Sequence, residues 1–162
     1  TFMRIYLPDL EATLAMGALL GSDAKEGMVF AVLGDLGAGK TSLAQGLARG
    51  LGVPESAYVN SPTFTLHQRH HGRCQFHHID LYRLCSPDEI INLGLRELVG
   101  VVGVSYIEWP IRAPDLLPDE TVWLKLSFFE QGRVLEFAYA GHVAKQYIET
   151  VCIRARSDFT CV

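Results

Sequence analysis

Apolar positions along the chain repeat with two different periods, and the alternation between them predicts helices and strands in turn. Between residues 10 and 20 the apolar side chains recur about every 3.6 positions, which predicts a helix capped by Asp9 and ended by Gly21. The continuous apolar run 28–33 predicts a strand buried on both faces, as in a parallel sheet. A glycine-rich turn separates this strand from a second predicted helix over 41–49.

The middle of the chain is less regular. Residues 53–72 carry two prolines and few periodic apolar positions, which predicts a loop with short extended pieces. Residues 75–79 form a weaker strand pattern that ends in Asp80. A capping box that starts at Ser86 predicts a helix to about residue 98, and the apolar run 101–107 predicts a further buried strand.

The last third of the chain changes to a period of two. Residues 121–128 alternate between apolar and polar side chains, Gln131-Gly132 predicts a turn, and residues 133–139 predict a returning strand. A helix is predicted after Gly141. Together these elements predict an α/β fold with a mostly parallel central sheet flanked by helices, and an antiparallel hairpin near the C-terminus.

Composition narrows the class of protein. The chain has 162 residues, 49% of them hydrophobic and 20% charged, so we expect a single globular domain over residues 1–162. The net charge of −4 disfavours direct nucleic-acid binding, and the short basic stretch 69–73 is predicted to be a solvated loop. No apolar run approaches the roughly 20 residues of a membrane span, and no leader segment is recognised. We therefore expect a cytoplasmic protein whose four cysteines are free.

The strongest chemical signal is a glycine-rich loop between the first buried strand and the helix that follows it. The loop fits the pattern G-x-x-x-x-G-K-[ST] in full, with the residues Gly34, Asp35, Leu36, Gly37, Ala38, Gly39, Lys40 and Thr41. Glycines let the backbone curl so that its N–H groups point at phosphate oxygens, and the start of the helix adds unpaired donors. Lys40 would contact the β- and γ-phosphates, and the Thr41 hydroxyl can bind Mg²⁺. The pattern predicts a P-loop NTPase-like protein.

Two carboxylates are candidates for contact with the magnesium and the attacking water. Asp80 and Glu108 each follow a predicted strand, and ligands of open α/β sheets bind at such strand ends. The more apolar strand before Glu108 favours this residue at the metal, with Asp80 positioning or activating the water; the reverse assignment stays open. Ser61 and Thr63 lie between the second helix and the Asp80 strand, and their hydroxyls are candidates to contact the γ-phosphate or its water.

Four sequence blocks follow one another along the chain. They are the loop just described, Ser61-Pro62-Thr63-Phe64-Thr65-Leu66, Asp80-Leu81-Tyr82-Arg83-Leu84 and Glu108-Trp109-Pro110. Together they resemble the TsaE family of tRNA threonylcarbamoyladenosine biosynthesis proteins. The loop is shared by many families, whereas the last two blocks at these separations are specific. The resemblance spans about 7–139, and the segment after Gly141 matches nothing recognised.

The resemblance implies a small ATPase with a P-loop fold that uses ATP and Mg²⁺. The absence of an N-K-x-D sequence, the guanine-reading element of GTPases, agrees with ATP as the nucleotide. The implied partners are TsaB and TsaD, which install threonylcarbamoyl on the adenosine beside the anticodon, so that tRNA is met only through the complex. ATP hydrolysis would reset that complex between turnovers and would not itself transfer the group.

The resemblance also implies roles for individual residues. Thr41 and Glu108 would lie at the magnesium, and Asp80 would be essential. Trp109 would lie near the nucleotide or the partner, or else belong to the core. Arg133 would either reach a phosphate or simply follow the hairpin turn.

Two other functions stay open at the level of sequence. A small kinase would use Asp80 as the base on an acceptor hydroxyl of a nucleoside or metabolite. A non-hydrolytic adaptor would use ATP only to fix a binding surface, and would tolerate Asp80→Ala but not Lys40→Ala. ATP hydrolysis that is weak alone and stimulated by partners would distinguish the ATPase from both.

Overall fold

One mixed β-sheet organises the chain in the computed structural model, which describes residues 3–162. Eight strands belong to it within that range: β1 (Arg4–Leu7), β2 (Val29–Leu33), β3 (His67–His71), β4 (Gln75–Asp80), β5 (Val104–Glu108), β6 (Thr121–Phe129), β7 (Gly132–Ala140) and β8 (Thr160–Cys161). The α-helices are α1 (Leu10–Asp23), α2 (Lys40–Gly50), α3 (Pro87–Asn92), α4 (Leu95–Leu98) and α5 (His142–Ala155).

The direction of the strands changes from the centre of the sheet to its edges. The strand order is β3-β4-β5-β2-β6-β7-β1-β8, and the central strands β4, β5, β2 and β6 are parallel. The other four of the seven pairings among the described strands are antiparallel, so the prediction of a mostly parallel sheet is wrong. The predicted hairpin β6–β7 is confirmed. The antiparallel excess comes from a second hairpin, β3–β4, and from β1, which inserts between β7 and β8.

Two apolar clusters cover the two faces of the sheet. The larger cluster joins buried residues of α1, α2 and α5 to Phe30 and Val32 of β2. The smaller cluster joins α3 and α4 to Val29 of the same strand and to Ile107 of β5. β2 is therefore buried on both faces, as its continuous apolar run predicts. The loop that follows β2 therefore starts from a strand that is packed on both faces.

Helices α1 and α2 cross through glycines that let their backbones touch. A Cβ added to Gly17 would lie 2.5 Å from the Leu43 carbonyl oxygen, and Gly46 is equally crowded on the opposite helix. Asp9 caps α1 as predicted, because its side chain accepts the Ala12 amide at 2.8 Å. The predicted end of α1 at Gly21 is wrong. The helix continues for two more residues, since Gly21 serves as another point of close approach to α2.

Three further boundaries differ from the sequence prediction. Strand β3 occupies part of the expected loop 53–72, because a polar, histidine-rich edge strand lacks the apolar pattern used to recognise strands. Gly94 has a φ of +64° and splits the predicted helix 86–98 into α3 and α4, although the capping box at Ser86 is confirmed. Gly103, also at +64°, delays the start of β5 to Val104. No sequence pattern predicted β1 or β8.

Two further expectations concern membranes and thiols. Among the helices of residues 3–162, none combines the length and the apolar character that crossing a bilayer requires. Cys74, Cys85, Cys152 and Cys161 are free thiols, as expected. Cys152 is buried on α5 and Cys161 is exposed on β8. Packing of the two clusters thus holds the described fold together without a disulfide.

Two histidines of the β3–β4 hairpin form a hydrogen-bonded pair. Nε2 of His67 lies 3.0 Å from Nδ1 of His77, and the side chain of His77 is fully buried. Burial, followed by the neighbouring positive charges of His67 and Arg69, lowers the pKa of His77 from 6.5 to about 4. The folded protein therefore holds this imidazole neutral at a pH at which the unfolded chain would protonate it.

We expect the protein to lose stability as the pH falls from 6.5 towards 4. In this window the unfolded chain binds a proton at His77 that the folded chain does not bind, so the free energy of unfolding falls by at most about 1.4 kcal/mol per pH unit. Well above pH 6.5 the imidazole is neutral in both states and the effect disappears. Urea titrations across this window measure the slope. Burial also lowers the pKa of His67 and His70, so His77→Gln should reduce the slope without removing it. The exposed His71→Gln should change it less, and equal slopes in both variants would contradict the prediction.

Candidate functional site

The glycine-rich loop, residues 34–39, connects β2 to α2 at the carboxyl edge of the parallel strands. Gly37 and Gly39 have φ values of +78° and +108°, a region that side chains with a Cβ rarely adopt. Helix α2 then starts at Lys40, and no side chain caps its first amide groups. A curled backbone followed by an uncapped helix start places N–H donors towards the same space, which is an arrangement suited to an anion.

The Lys40 side chain folds back over this loop. Its ammonium group donates hydrogen bonds to the carbonyl oxygens of Gly34 at 2.7 Å and of Asp35 at 2.9 Å, and only 5% of the residue is exposed. Burial lowers the pKa of Lys40, while the negative charges of Glu108, Asp80 and Asp35 oppose this shift. The lysine thus stands at the mouth of the loop with carboxylates close enough to affect its charge.

Asp80 and Glu108 lie side by side at the carboxyl ends of β4 and β5, where the register pairs them directly. The side chain of Ser61 joins them, because its hydroxyl lies 2.8 Å from Asp80 Oδ2 and 3.4 Å from Glu108 Oε2. Both acids are more than nine-tenths buried. The structure therefore brings three of the predicted site residues into one group of oxygen atoms.

Neighbouring groups hold each carboxylate in place. Asp80 accepts the backbone amide of Tyr82 at 3.0 Å, and its own amide donates to the Leu66 carbonyl at 2.9 Å. Glu108 Oε1 lies 2.9 Å from Nε2 of His78, which is fully buried. One oxygen of each acid therefore contacts Tyr82 or His78, and the other oxygen contacts the Ser61 hydroxyl.

Arg133 contacts the loop from the start of β7. Its guanidinium group donates to the carbonyl oxygens of Ala38 at 3.0 Å and of Gly37 at 3.2 Å, and it stacks 4.2 Å from the Phe128 ring centroid. The residue follows the hairpin turn, as one part of the sequence expectation has it, and it contacts the loop backbone. A contact between Arg133 and a phosphate stays a prediction. Two of its hydrogen bonds go to loop carbonyls and help to fix the curl of the backbone, and a third goes to the neighbouring Gly132 carbonyl at 3.0 Å.

Trp109 stands directly after Glu108 in a left-handed backbone conformation, with a φ of +57°. Its ring lies 5.1 Å from the Lys40 nitrogen and packs 4.9 Å from the ring of Tyr82. The indole is partly buried and also packs against the smaller apolar cluster. Trp109 therefore belongs both to the edge of the core and to the surroundings of the lysine.

Two predicted residues are near the site without a contact that joins their hydroxyls to it. Thr41 is half-buried in the first turn of α2, and within residues 3–162 no hydrogen bond links it to Glu108. Thr63 is half-buried in the turn after Ser61, and its backbone amide donates to the Ser61 carbonyl at 3.0 Å. The placement of both hydroxyls towards a ligand stays a prediction.

Sequence reasoning missed three residues that support the site. They are Tyr82, whose amide holds Asp80; His78, which contacts Glu108; and Tyr106, whose hydroxyl donates to the Lys40 carbonyl at 2.5 Å. The alternation of side chains along a strand could have identified two of them from the sequence. His78 and Tyr106 stand two residues before the two acids in their strands, so their side chains lie on the same face as the acids.

The basic stretch 69–73 is a strand and a tight turn, so its prediction as a solvated loop is wrong. His70 is buried against Phe76, and the Arg73 guanidinium donates to the carbonyls of Gly21 at 2.6 Å and of Ser22 at 3.2 Å. The stretch alternates between the two faces of the edge strand β3 instead of presenting all its charges on one side. Arg73 therefore ties the hairpin to the end of α1.

Fold and site together define an α/β protein with a glycine-rich loop, a buried lysine and a pair of carboxylates at one edge of its sheet. The sequence model of the family described as threonylcarbamoyl adenosine biosynthesis protein TsaE matches residues 7–134. The chain belongs to this TsaE family, and the resemblance seen in its four sequence blocks is confirmed.

Individual relatives agree with this assignment. A tRNA threonylcarbamoyladenosine biosynthesis protein TsaE from Treponema pallidum is 39% identical over 130 residues, which cover 80% of this chain and 95% of the relative. The protein of the same name from Nostoc sp. is 41% identical over 134 residues, 80% of each chain. The one from Haemophilus influenzae is 30% identical over 150 residues, 88% of this chain and 93% of the relative.

A solved structure is also similar over nearly the whole fold. The crystal structure of YdiB from Bacillus subtilis superposes with a TM-score of 0.77 at 26% sequence identity. The superposition covers 95% of this chain and 98% of that one. A coverage of 95% requires that the match reaches into the segment after residue 139, whose sequence alone matched nothing recognised.

Proposed function

We propose that this chain is the Mg²⁺-dependent, ATP-binding and ATP-hydrolysing component of the machinery that places threonylcarbamoyl on the adenosine beside the tRNA anticodon. It would act with TsaB and TsaD and would not be the transferase itself. One observation carries the proposal: the Lys40 ammonium, the Ser61 hydroxyl and two buried carboxylates converge at the glycine-rich loop. Membership of the TsaE family supports the assignment of this activity to the tRNA modification.

Binding of the ATP phosphates is assigned to the loop and to Lys40. Arg133 binds two carbonyl oxygens of the loop, and α2 continues directly from it. The backbone N–H groups of the loop are therefore arranged before a ligand arrives. A cavity of about 300 Å³ adjoins the outer side of the loop and is lined by Leu10, Thr13 and Ser42 among others. Ser42 directly follows the loop sequence, which makes this cavity the place proposed for the nucleoside. We therefore assign the nucleotide site to the P-loop sequence, residues 34–41.

The oxygen atoms of the site fit Mg²⁺, a cation that prefers carboxylate, hydroxyl and phosphate oxygens. Glu108 presents one carboxylate oxygen towards Ser61, and Thr41 lies in the first turn of α2. We assign the metal to Thr41 and Glu108, with Asp80 at the metal as the alternative. A bound Mg²⁺ would neutralise charge on the β- and γ-phosphates during hydrolysis.

Asp80 is assigned to the attacking water. Ser61 and the Tyr82 amide fix its carboxylate, so a water that hydrogen-bonds to Asp80 would have a defined direction. The carboxylate would orient this water and accept its proton, while Lys40 would neutralise negative charge on the phosphates. Thr63, two residues after Ser61, is proposed to contact the γ-phosphate or the water.

Exposed apolar side chains around the site support a protein partner. An apolar rim follows the loops at the carboxyl edge of the sheet and consists of Leu36, Phe64, Tyr82, Ile111 and Phe128. Apolar side chains clustered beside a functional site are typical of surfaces that bind another protein. We propose that TsaB and TsaD cover this rim in the cytoplasm and that tRNA is contacted only through them. ATP hydrolysis would then change the state of the complex.

The proposal is tested by measuring Mg²⁺-dependent ATP hydrolysis by the purified chain, alone and with TsaB and TsaD. We expect slow turnover alone and a rise of roughly tenfold or more with both partners, because a transition-state charge is commonly supplied by a partner or a moving loop. Lys40→Ala should abolish hydrolysis in both settings. Lys25→Ala is the matched control, since Lys25 is exposed at the opposite edge of the sheet.

Three outcomes would contradict the proposal. Turnover of tens per second that partners do not change would indicate an independent enzyme. Transfer of the γ-phosphate to a nucleoside or metabolite would indicate a kinase. Hydrolysis that survives Lys40→Ala would place the activity elsewhere in the preparation.

A further inference from the structure

His78 is a fully buried histidine in β4 that points to the same face of the sheet as Asp80, two residues later. Its Nε2 atom lies 2.9 Å from Oε1 of Glu108. A carboxylate can only accept a hydrogen bond, so Nε2 carries the proton and donates it to Glu108. The other ring nitrogen, Nδ1, is buried and has no hydrogen-bond partner among the described residues.

The surroundings of His78 keep its ring in one orientation. The ring meets Tyr106 edge to face, with centroids 5.4 Å apart and planes at 86°, and lies 5.9 Å from Phe76. Tyr106 is fully buried and is itself tied to the backbone of Lys40 through its hydroxyl. A ring fixed on two sides presents its N–H to Glu108 in one direction only.

The unpaired Nδ1 atom of His78 lowers the stability of the fold, which indicates that a histidine is present here for its contact with Glu108. A buried nitrogen without a partner destabilises the fold, so an apolar side chain in the same place would avoid this penalty. The one hydrogen bond that His78 makes through its ring goes to Glu108. The ring therefore donates a hydrogen bond to Glu108 through Nε2, while Nδ1 stays buried without a partner among the described residues.

We propose that His78 is a positioning residue for the metal-binding carboxylate. By donating to Oε1 it fixes the rotamer of Glu108, and the second oxygen, Oε2, is left on the side of Ser61 and the loop. Partners that hold a ligating carboxylate from behind usually change metal affinity when they are removed, by roughly 10–100-fold. This inference rests on the proposed function, in which Glu108 binds Mg²⁺.

Two amide side chains provide a matched test of the donor position. The amide nitrogen of Gln lies where Nε2 of histidine lies, so His78→Gln keeps a donor towards Glu108. The amide nitrogen of Asn lies nearer to the position of Nδ1, so His78→Asn keeps a polar group but moves the donor away. The readout is the Mg²⁺ concentration needed to strengthen binding of a fluorescent, non-hydrolysable ATP analogue, compared with its affinity in EDTA.

We expect His78→Asn to raise the required Mg²⁺ concentration about tenfold or more, with the affinity in EDTA within about threefold of the unchanged protein. His78→Gln should restore most of the Mg²⁺ response. Equal Mg²⁺ responses in both variants, whether both are normal or both are lost, would overturn the proposal. A loss of analogue binding in EDTA in both variants would overturn it as well, since that result indicates a structural role alone.

Two additional measurements keep the test decisive. Thermal unfolding shows whether each variant folds, and His78→Leu, which fills the space without any donor, replaces the Asn variant if that one does not fold. Glu108→Gln marks the full loss of the carboxylate. If Mg²⁺ does not strengthen analogue binding to the unchanged protein, the proposed Mg²⁺ site is wrong. The inference about His78 is then wrong as well. A normal Mg²⁺ response that is lost in Glu108→Gln but kept in His78→Asn overturns the inference alone.

Discussion

Asp80→Asn is expected to lower the rate of ATP hydrolysis at least about 100-fold while ATP affinity changes by no more than about threefold. Asn has nearly the same shape as Asp, and one amide oxygen can still accept a hydrogen bond from Ser61 or from the Tyr82 amide. It cannot accept the proton of the attacking water, and it carries no charge. The change therefore removes the chemistry assigned to Asp80 with little disturbance of the fold.

Single-turnover hydrolysis and equilibrium binding of a non-hydrolysable analogue separate the two effects. Asp119→Asn is the matched control, because Asp119 is exposed just before β6, at the opposite edge of the sheet. Unchanged hydrolysis in Asp80→Asn would favour an adaptor in which ATP only fixes a surface. A loss of Mg²⁺-dependent binding in this variant would instead place Asp80 at the metal, which is the assignment left open for the two acids.

Gly46→Ala is expected to destabilise the fold by about 3 kcal/mol, although alanine is the better helix former by about 1 kcal/mol. A Cβ at this position would collide with the Leu14 carbonyl of α1, and backbone atoms cannot move aside as a side chain can. Gly17 is subject to the same constraint from the other helix. For a domain of this size the loss corresponds to a fall in Tm of about 6–12 °C.

Thermal unfolding of Gly46→Ala beside Ala15→Val tests this prediction. Ala15 is exposed on α1, so a larger side chain there meets solvent and should cost less than about 1 kcal/mol, mainly through the lower helix propensity of valine. A Tm for Gly46→Ala equal to or above that of the unchanged protein would show that α1 and α2 can separate at no cost. The crossing would then not be the rigid contact that the structure describes.

The parts of the fold that were predicted from sequence are those with a local cause. Asp9 accepts an amide three residues later, and the loop motif requires a strand before it and a helix after it, so short windows contain the whole signal. Asp80 and Glu108 were expected at strand ends, and parallel register alone then brings them together. Local patterns therefore located most of the candidate site before its geometry was known.

The parts that sequence could not supply depend on distant neighbours. Gly21 resembles a helix stop because its contact with α2 is invisible in a local window. β1 was missed because a short strand is recognised mainly by its partner, and the partner of Ile5 in the register is Leu135. β3 is a polar edge strand in a segment predicted only as a loop with short extended pieces. His78 was missed because its importance comes from Glu108, thirty residues further on. Three of the four antiparallel pairings involve β1 or β3, which is why the sheet was predicted to be mostly parallel.

The position of β1 between β7 and β8 also affects when this strand can fold during synthesis. Helices α1 and α2 are close in sequence and can pair early, whereas Ile5 and Leu7 stay without their partner strand until β7 has been synthesised. During that interval an apolar strand is accessible to other chains, which is a hazard for growing polypeptides. This side of the sheet is therefore expected to form only after β7 has emerged from the ribosome.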